Sequence, residues 1–169
     1  MPSAPGSTEL RHDCVTRVAL IAAVLAVGLI AGLFCAFAYA VMPGLAQTDD
    51  RVFVSSMQRI NVVIVNPLFL LLFFGGLAFT AAAAVFHRGE PIFWWIVAGA
   101  VTYVVGLLIT MVFNIPLNND LAAIGASSSI TDPAAARAAF ESAWVRWNLI
   151  RAVVHTVAFA VLLVGLVTR

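Results

Sequence analysis

The sequence predicts an all-α integral membrane protein, a four-helix bundle with helical extensions outside the bilayer on one side. Of its 169 residues, 63% are hydrophobic and only 10% are charged, whereas a soluble domain of this length needs more charge to cover its surface. Four apolar runs are each long enough to cross a bilayer, which takes about 20 residues. Two polar connections between the runs carry helix signals of their own. The length suits a single domain that covers residues 1–169.

The apolar runs place the expected membrane spans at residues 18–41, 67–86, 92–113 and 149–168. The first run resembles a signal peptide, because AFA and AYA near its end mimic a cleavage site. It is longer than the apolar core of about 7–15 residues that signal peptides have, so we expect a retained helix. The fourth run is the only one that contains an arginine and a histidine.

The first long connection, residues 42–66, predicts an amphipathic helix beside the membrane. Asp49 or Asp50 can cap this helix by accepting hydrogen bonds from the free N–H groups of its first turn. An apolar face follows at helical spacing, formed by Phe53, Met57, Ile60 and Ile64. Asn66-Pro67 predicts the kink at which this helix becomes the second span.

The second long connection, residues 114–148, predicts a break and then a new helix. Pro116 is expected to end the helix of the third span, since proline lacks an N–H and its ring clashes with the preceding turn. Asp132 followed by Pro133 is a helix start, with an N-cap and then proline at the first helical position. No helix breaker lies between residues 134 and 164. One helix of about 50 Å should therefore run from outside the membrane into the fourth span.

The two halves of the chain share a pattern that is typical of a tandem repeat of two helix pairs. Span one ends in VMPGL and span three ends in NIPLN. Each proline is followed by a polar loop, an amphipathic helix and an Arg-x-Asn pattern, at residues 59–61 and 146–148. In a duplication of this kind the halves are related by an axis along the membrane normal. Asn61 and Asn148 would then face each other across the bundle.

The charge distribution favours a multi-pass protein of the plasma membrane with both termini in the cytoplasm. Arginines beside short segments weigh most in the positive-inside rule. On the side of the termini these are Arg11, Arg17, Arg88 and Arg169. The opposite side also carries arginines, but they lie in amphipathic helices, where they can serve the fold, and among acidic residues. The net charge of +1 gives no electrostatic case for nucleic acid as a partner.

The last helix carries the strongest candidate site. Asn148, Arg151 and His155 share one helical face, on which Glu141 also falls two turns earlier. Ionisable groups in a span usually face the bundle interior or a water-filled cavity, because facing lipid costs about 2.5–3.5 kcal/mol. We take Asn148, Arg151 and His155 as candidate catalytic residues. The alternatives are that Arg151 extends to the interface, that His155 only bonds a neighbouring helix, and that Trp144 and Trp147 are interfacial anchors.

Two further polar clusters are candidates for substrate binding. Asn114 and Asn118 lie in the stretch FNIPLNND, which has more polar side chains than a turn needs, although capping explains one or two of them. Met57 and Asn61 lie on the first amphipathic helix, where they can point to the same cavity. A lone asparagine at a membrane interface is, however, also ordinary.

Other motifs give little sign of a metal or a disulfide. His12, His87 and His155 lie far apart, and we expect no metal site. Cys14 and Cys35 would lie about 30 Å apart on one helix and cannot pair within the chain. Gly28 and Gly32 form a small-xxx-small pattern that favours close helix packing, either within the bundle or in a homo-oligomer.

Five motifs together resemble the anthrone oxygenase family, whose members are small four-span membrane proteins. They are MPGL at residues 42–45, MQRIN at 57–61, NP at 66–67, FNIPLN at 113–118 and RWNLIR at 146–151. The resemblance implies oxidation of an anthrone to an anthraquinone, with O₂ as co-substrate and no recognised flavin or haem motif. The expected partners are thus an apolar aromatic small molecule and membrane lipid.

The chemistry that this resemblance implies can be assigned to residues as a hypothesis. Arg151, with Asn148 and Asn118, would stabilise an oxyanion. His155 is the candidate base, on its helical position alone. Trp147 of the RWNLIR motif joins the candidate substrate-binding residues. The alternative is a non-catalytic protein that binds a lipid- or quinone-like ligand or serves as a subunit of a membrane assembly. Ion transport is disfavoured, because the spans contain no carboxylate.

Overall fold

Helices form every regular element that the computed structural model describes, which covers residues 7–126 and 129–168, with side chains from residue 14 onward. The elements are α1 (Ser7–Ala36), π1 (Phe37–Val41), α2 (Met42–Leu45), α3 (Asp50–Val63), α4 (Pro67–Phe86), α5 (Phe93–Ile109), π2 (Thr110–Asn114), α6 (Ile115–Ala123) and α7 (Pro133–Val167). The predicted all-α class is confirmed. Arg169 and the side chains of Arg11 and His12, which entered the predictions above, lie outside the described residues.

Four helical stretches are long and apolar enough to cross a membrane. They are Cys14–Leu45, Pro67–Phe86, Phe93–Ala123 and Pro133–Val167. Each of them includes all or nearly all residues of one predicted span. Large apolar side chains such as Leu25, Leu29, Leu68 and Val101 are more than half exposed on these helices. Such surfaces require a lipid environment, because a soluble monomer rarely exposes so much contiguous apolar area.

The membrane part of the bundle packs around one apolar core. Helix α1 packs against α4 and α7, and α5 packs against α7 and α4. The core is formed by buried side chains of all four helices, among them Leu20, Val27, Ile30, Phe34, Phe73, Ile96, Tyr103 and Leu162. Close approach is achieved at Gly28, where an added Cβ would lie 2.8 Å from the Phe159 ring of α7, whereas Gly32 faces open space. The Gly28 face is therefore used within the chain, and a homo-oligomer through this face stays a prediction.

A second apolar cluster lies at the end of the bundle where α3 packs on α7. Its buried members include Phe37, Met42, Phe53, Met57, Phe140 and Trp144, with Ile60 and Ile64 packed against them. The predicted caps are both present: Asp49 accepts from the Val52 N–H and Asp132 accepts from the Ala135 N–H, each at 2.9 Å. The predicted 35-residue helix Pro133–Val167 is also confirmed.

Arg137 joins the loop between α2 and α3 to α7. Its guanidinium donates to the carboxylates of Glu141 at 2.6 Å and Asp50 at 3.1 Å, and to the carbonyls of Ala46 and Thr48 at 3.0 Å. It also lies over the Phe53 ring, 4.6 Å from its centroid. Glu141 is thus engaged with Arg137 and does not extend the row of site residues on α7.

The prediction that Pro116 ends the third helix is wrong. The chain passes from α5 through π2 into α6 without a break, and Pro116 is the second residue of α6. A π turn is wider than an α turn, and this extra space accommodates the missing N–H and the proline ring. Pro43 follows π1 in the same way, as the second residue of α2. The recurrence of a π turn followed by x-Pro agrees with the expected duplication.

The two remaining junctions are sharp. Asn66 does not mark a kink in one helix, because α3 ends at Val63 and Asn66 caps the start of α4 by accepting from the Phe69 N–H at 3.0 Å. A tight turn of residues 87–92 joins α4 to α5. His87 lies at its start, fully buried. Gly89 adopts a φ of +88°, which only glycine adopts without strain.

Candidate functional site

The inner face of α7 carries a row of buried polar side chains where the membrane core meets the second apolar cluster. Asn148 and His155 are completely buried, and Arg151 is only 6% exposed. Periods of three and four residues place all three on the side of α7 that faces the other helices. Arg151 therefore does not extend to the interface, and none of the three side chains faces lipid.

Arg151 is held by an amide and by two aromatic rings. Its Nε and Nη2 donate to Asn148 Oδ1 at 3.1 and 2.9 Å, and Asn148 Nδ2 donates to the Phe34 carbonyl at 3.2 Å. The guanidinium carbon lies 4.0 Å from the centroid of the Phe34 ring and 5.3 Å from that of the Trp144 ring. Asn148 thus fixes the guanidinium between the two rings and ties α7 to α1.

The positive charge of Arg151 has no carboxylate partner among the residues that the structure describes. Within that part of the chain, we also find no hydrogen bond that the Arg151 Nη1 group donates. Burying a cation without a counter-ion is costly, and cation–π contacts and amide hydrogen bonds recover only part of that cost. The guanidinium is therefore suited to bind an oxygen atom that carries negative charge.

His155 presents one ring nitrogen that is free to accept a proton. Its Nδ1 lies 2.7 Å from the Arg151 carbonyl oxygen, which can only accept, so Nδ1 carries the hydrogen and a neutral ring has its lone pair on Nε2. Nε2 is buried and has no hydrogen-bond partner among the described residues. Phe34 and Tyr103 contact the imidazole edge-on, each with ring centroids 5.0 Å apart.

Gly106 of α5 makes the space in which the His155 ring lies. A Cβ at this position would come within 2.5 Å of His155 Nδ1 and 2.8 Å of Nε2. One turn further along the same face, the buried Thr110 hydroxyl donates to the Gly106 carbonyl at 3.0 Å. Sequence reasoning missed Gly106, Thr110, Tyr103 and Phe34, because each is an unremarkable residue of an apolar span until the helices are packed.

Asn114 is fully buried beside α7, and its role in substrate binding stays a prediction. Its Nδ2 donates to the Trp144 carbonyl at 3.4 Å, and its Oδ1 has no partner within the described part of the chain. Asn118 accepts a hydrogen bond from Trp144 Nε1 at 2.7 Å. Asn118 is therefore bonded to the indole that lies over Arg151, and no hydrogen bond between Asn118 and Arg151 is found among the described residues.

The other candidate substrate-binding residues lie apart from Arg151. Trp147 stacks on Phe113 with ring centroids 3.5 Å apart and planes 4° apart, so Trp144 and not Trp147 lies against the guanidinium. Met57 is fully buried in the apolar cluster that contains Trp144. Asn61 is partly buried, and its Nδ2 is buried without a partner among the described residues. That Asn61 faces Asn148 stays a prediction.

Cavities and grooves lie at several places in the described part of the bundle. A cavity of about 160 Å³ lies between α6 and α7 beside Asp120 and Phe140. A groove of about 250 Å³ lies on the lipid-facing side between α1 and α7, beside Cys35 and Ala152. A third, of about 370 Å³, lies beside Arg59 and Ile64, and a fourth, of about 130 Å³, lies beside Trp95 and Gly165. None of these four is lined by Asn148, Arg151 or His155.

The described residues contain no obvious set of metal ligands. No three or more His, Cys, Asp or Glu side chains in them form a group that could hold an ion. Cys14 and Cys35 are both free thiols.

The fold and the polar row can now be compared with known proteins. The sequence model of the anthrone oxygenase family matches residues 68–161, which is more than half of the chain. The chain therefore belongs to the anthrone oxygenase family, and with its four apolar spans it is a multi-pass membrane protein. The matched region includes FNIPLN and RWNLIR and leaves out MPGL and MQRIN. Neither the curated proteins nor the solved structures gave a match.

Proposed function

We propose that the protein is a membrane-embedded oxidoreductase of the anthrone oxygenase type, which oxidises an apolar aromatic or polyketide-like substrate with O₂ at the membrane rim. The observation that carries the proposal is the buried Arg151 guanidinium, which has no carboxylate partner among the described residues and lies one turn from a histidine with a free ring nitrogen. A cation beside a base suits a reaction that starts with removal of a proton and creates an oxyanion.

An anthrone matches this pair of groups in its own chemistry. It is flat, apolar and soluble in a membrane. Removal of a proton from its CH₂ group gives a carbanion whose charge is shared with the carbonyl oxygen, which becomes an aromatic phenolate. One group must take the proton and another must stabilise the oxyanion.

The residues of α7 divide these roles between them. His155 Nε2 takes the C–H proton, because it holds the lone pair of the neutral ring. The free N–H groups of Arg151 Nη1 donate to the phenolate oxygen. Asn148 is a positioning residue, because it binds the guanidinium and the Phe34 carbonyl together. Asn118 positions the Trp144 indole that covers the guanidinium.

Oxygen then serves as the electron acceptor. The carbanion gives its electrons to O₂ and forms a C–O bond, which yields a peroxide that takes up a proton. Loss of the second C–H proton with cleavage of the O–O bond gives the ketone and one water, so that R₂CH₂ + O₂ becomes R₂CO + H₂O. Because the two C–H bonds of the substrate supply all four electrons that O₂ takes up, this scheme needs no other reductant.

A second candidate function is non-catalytic binding of a lipid- or quinone-like ligand, alone or within a membrane assembly. It is favoured by the closed packing of the site, since Arg151 is stacked between two rings and does not line any of the four cavities above. In this case Arg151 and Asn148 join α7 to α1 and perform no reaction.

Turnover of emodin anthrone distinguishes the two functions. The purified protein should accelerate quinone formation and O₂ uptake over the spontaneous oxidation. Arg151→Ala should lower the rate about 10²–10³-fold, the usual effect of removing one oxyanion donor. Arg146→Ala, at an exposed position of the same helix, is the matched control and should keep the wild-type rate.

Two outcomes contradict the proposal. If the wild-type protein does not exceed the spontaneous rate, the anthrone assignment fails. If Arg151→Ala lowers the melting temperature but leaves the rate unchanged, Arg151 is a structural link between α7 and α1.

A further inference from the structure

The lipid-facing groove between α1 and α7 adjoins the polar row from outside. Its lining includes Cys35 and Ala38 from the α1–π1 side and Ala152, Val153 and Thr156 from α7. Ala38 lies one turn after Phe34, and Ala152 lies one turn after Asn148, so the groove continues the helix faces that hold the site. Both are small residues, which leaves a volume of about 250 Å³.

Phe34 occupies the place that a flat substrate needs. Its ring lies 4.0 Å from the Arg151 guanidinium carbon and contacts the His155 ring edge-on. Displacement of this ring would therefore uncover the guanidinium and the imidazole together. The guanidinium is also covered by Trp144, but that indole is hydrogen-bonded to Asn118. Phe34 has no such anchor on its side chain.

The backbone changes from α-helical to π-helical geometry close to Phe34. Phe34 lies three residues before π1, where α-helical hydrogen bonding gives way to a wider turn. Turns of this kind often mark functional sites. Next to Phe34, the Cys35 Sγ and Thr156 Oγ1 atoms lie 3.4 Å apart. Among the described residues that line the groove, this is the only side-chain hydrogen bond between α1 and α7. Within this lining, one side-chain hydrogen bond would have to break for the groove to widen.

We propose that the flat apolar substrate enters the site sideways from the bilayer, through this groove, and that the Phe34 side chain closes the entrance until its ring moves aside and the substrate reaches Arg151. The inference rests on the proposed function for the identity of the ligand. The substrate is a planar aromatic with an oxygen that accepts from Arg151, so the anthraquinone product also fits. A product analogue that does not react can thus report on entry alone.

Binding kinetics of emodin test the entrance separately from catalysis. In protein with Trp94→Phe and Trp95→Phe, reconstituted into lipid nanodiscs, emodin should quench the fluorescence of Trp144 and Trp147. Val153→Phe fills the groove and should slow the association at least about tenfold, since fewer open states remain. Val101→Phe makes the same change at a lipid-facing site outside the groove lining and should leave the rate unchanged.

Variants of Phe34 test the closing side chain. Phe34→Leu keeps the position apolar but removes the ring from Arg151, and it should speed association several-fold, because the entrance is open more of the time. Ala38→Phe narrows the groove from its other wall, so it repeats the Val153→Phe test on a different helix.

The outcomes separate this inference from the proposed function. Equal association rates for Val153→Phe, Ala38→Phe and wild type would leave the groove as a seat for lipid acyl chains and overturn the entrance. Absence of emodin quenching in wild type would overturn it as well. Groove-dependent binding without anthrone turnover supports the entrance and contradicts only the oxygenase.

Discussion

The His155 ring has space because residue 106 is a glycine and carries no Cβ. Gly106→Ala should push the imidazole away from its present position, because the added Cβ would lie 2.5 Å from Nδ1. We expect a loss of anthrone turnover of more than about tenfold, since a base must stay within hydrogen-bond reach of the proton. Overpacking should also cost about 1–3 kcal/mol of stability. The rate and the melting temperature of the variant measure the two effects.

A matched substitution separates displacement of His155 from general overpacking. Gly99→Ala, also in α5, would bring a Cβ within 2.6 Å of the Leu162 side chain. It should cost stability like Gly106→Ala but keep turnover, because Leu162 belongs to the apolar core and lies two turns away from His155 on α7. An equal loss of rate in both variants would remove the special role of Gly106.

At this scale the sequence predicted the row on α7 but not its surroundings. Asn148, Arg151 and His155 follow from the helical period of one element, which is a local property. Phe34, Tyr103 and Gly106 come from α1 and α5, and nothing in an apolar run indicates which of its residues will face α7. Trp147 was chosen by motif, yet the helical phase turns it toward Phe113.

Among the elements, the loop from α2 to α3 depends on Arg137. The Arg137 side chain is 15% exposed. Its guanidinium binds two carboxylates and two carbonyls, which come from α7, α3 and the loop before α3. Hydrogen bonds to charged groups each contribute about 1.5–3 kcal/mol when buried, and partial exposure reduces this value. Arg137→Met should therefore cost about 1–3 kcal/mol in total. Thermal unfolding in detergent measures the loss.

The control for Arg137 uses an arginine whose side chain is exposed. Arg59→Met lies on α3 and should change the melting temperature little. If both variants melt like the wild type, the contacts of Arg137 add nothing to stability. Retained anthrone turnover in Arg137→Met would show that this link is structural.

Helix starts were predictable from sequence, whereas the passage through Pro116 was not. Asp49 and Asp132 cap helices through contacts within four residues, so a short pattern determines them. A proline in a helix either ends it or is accommodated by a wider turn, and the choice depends on packing along the whole helix. Two hydrogen bonds hold π2 in place: Thr110 donates to the Gly106 carbonyl of α5, and Asn114 donates to the Trp144 carbonyl of α7.

Over the whole molecule, the structure changes how the arginines should be counted for orientation. Arg137 is paired with acidic side chains, Arg151 is buried, and Arg51 donates to the Ile130 carbonyl at 3.1 Å. These three cations are engaged inside the protein, so they weigh less in a count of arginines for the positive-inside rule. On the side of the termini Arg17 and Arg88 are exposed and beside short segments, where the positive-inside bias applies. The balance thus favours both termini in the cytoplasm more strongly than a plain count does.

Cysteine labelling in intact cells tests this orientation. In a background with Cys14→Ser and Cys35→Ser, Glu90→Cys reports on the turn between α4 and α5, and Ser129→Cys reports on the connection before α7. Both positions are exposed. A membrane-impermeant maleimide should label Ser129→Cys in intact cells and Glu90→Cys only after permeabilisation, because the two positions lie at opposite ends of the four spans. The reverse pattern would place the site at the cytoplasmic rim, where its substrate would have to arrive from inside the cell.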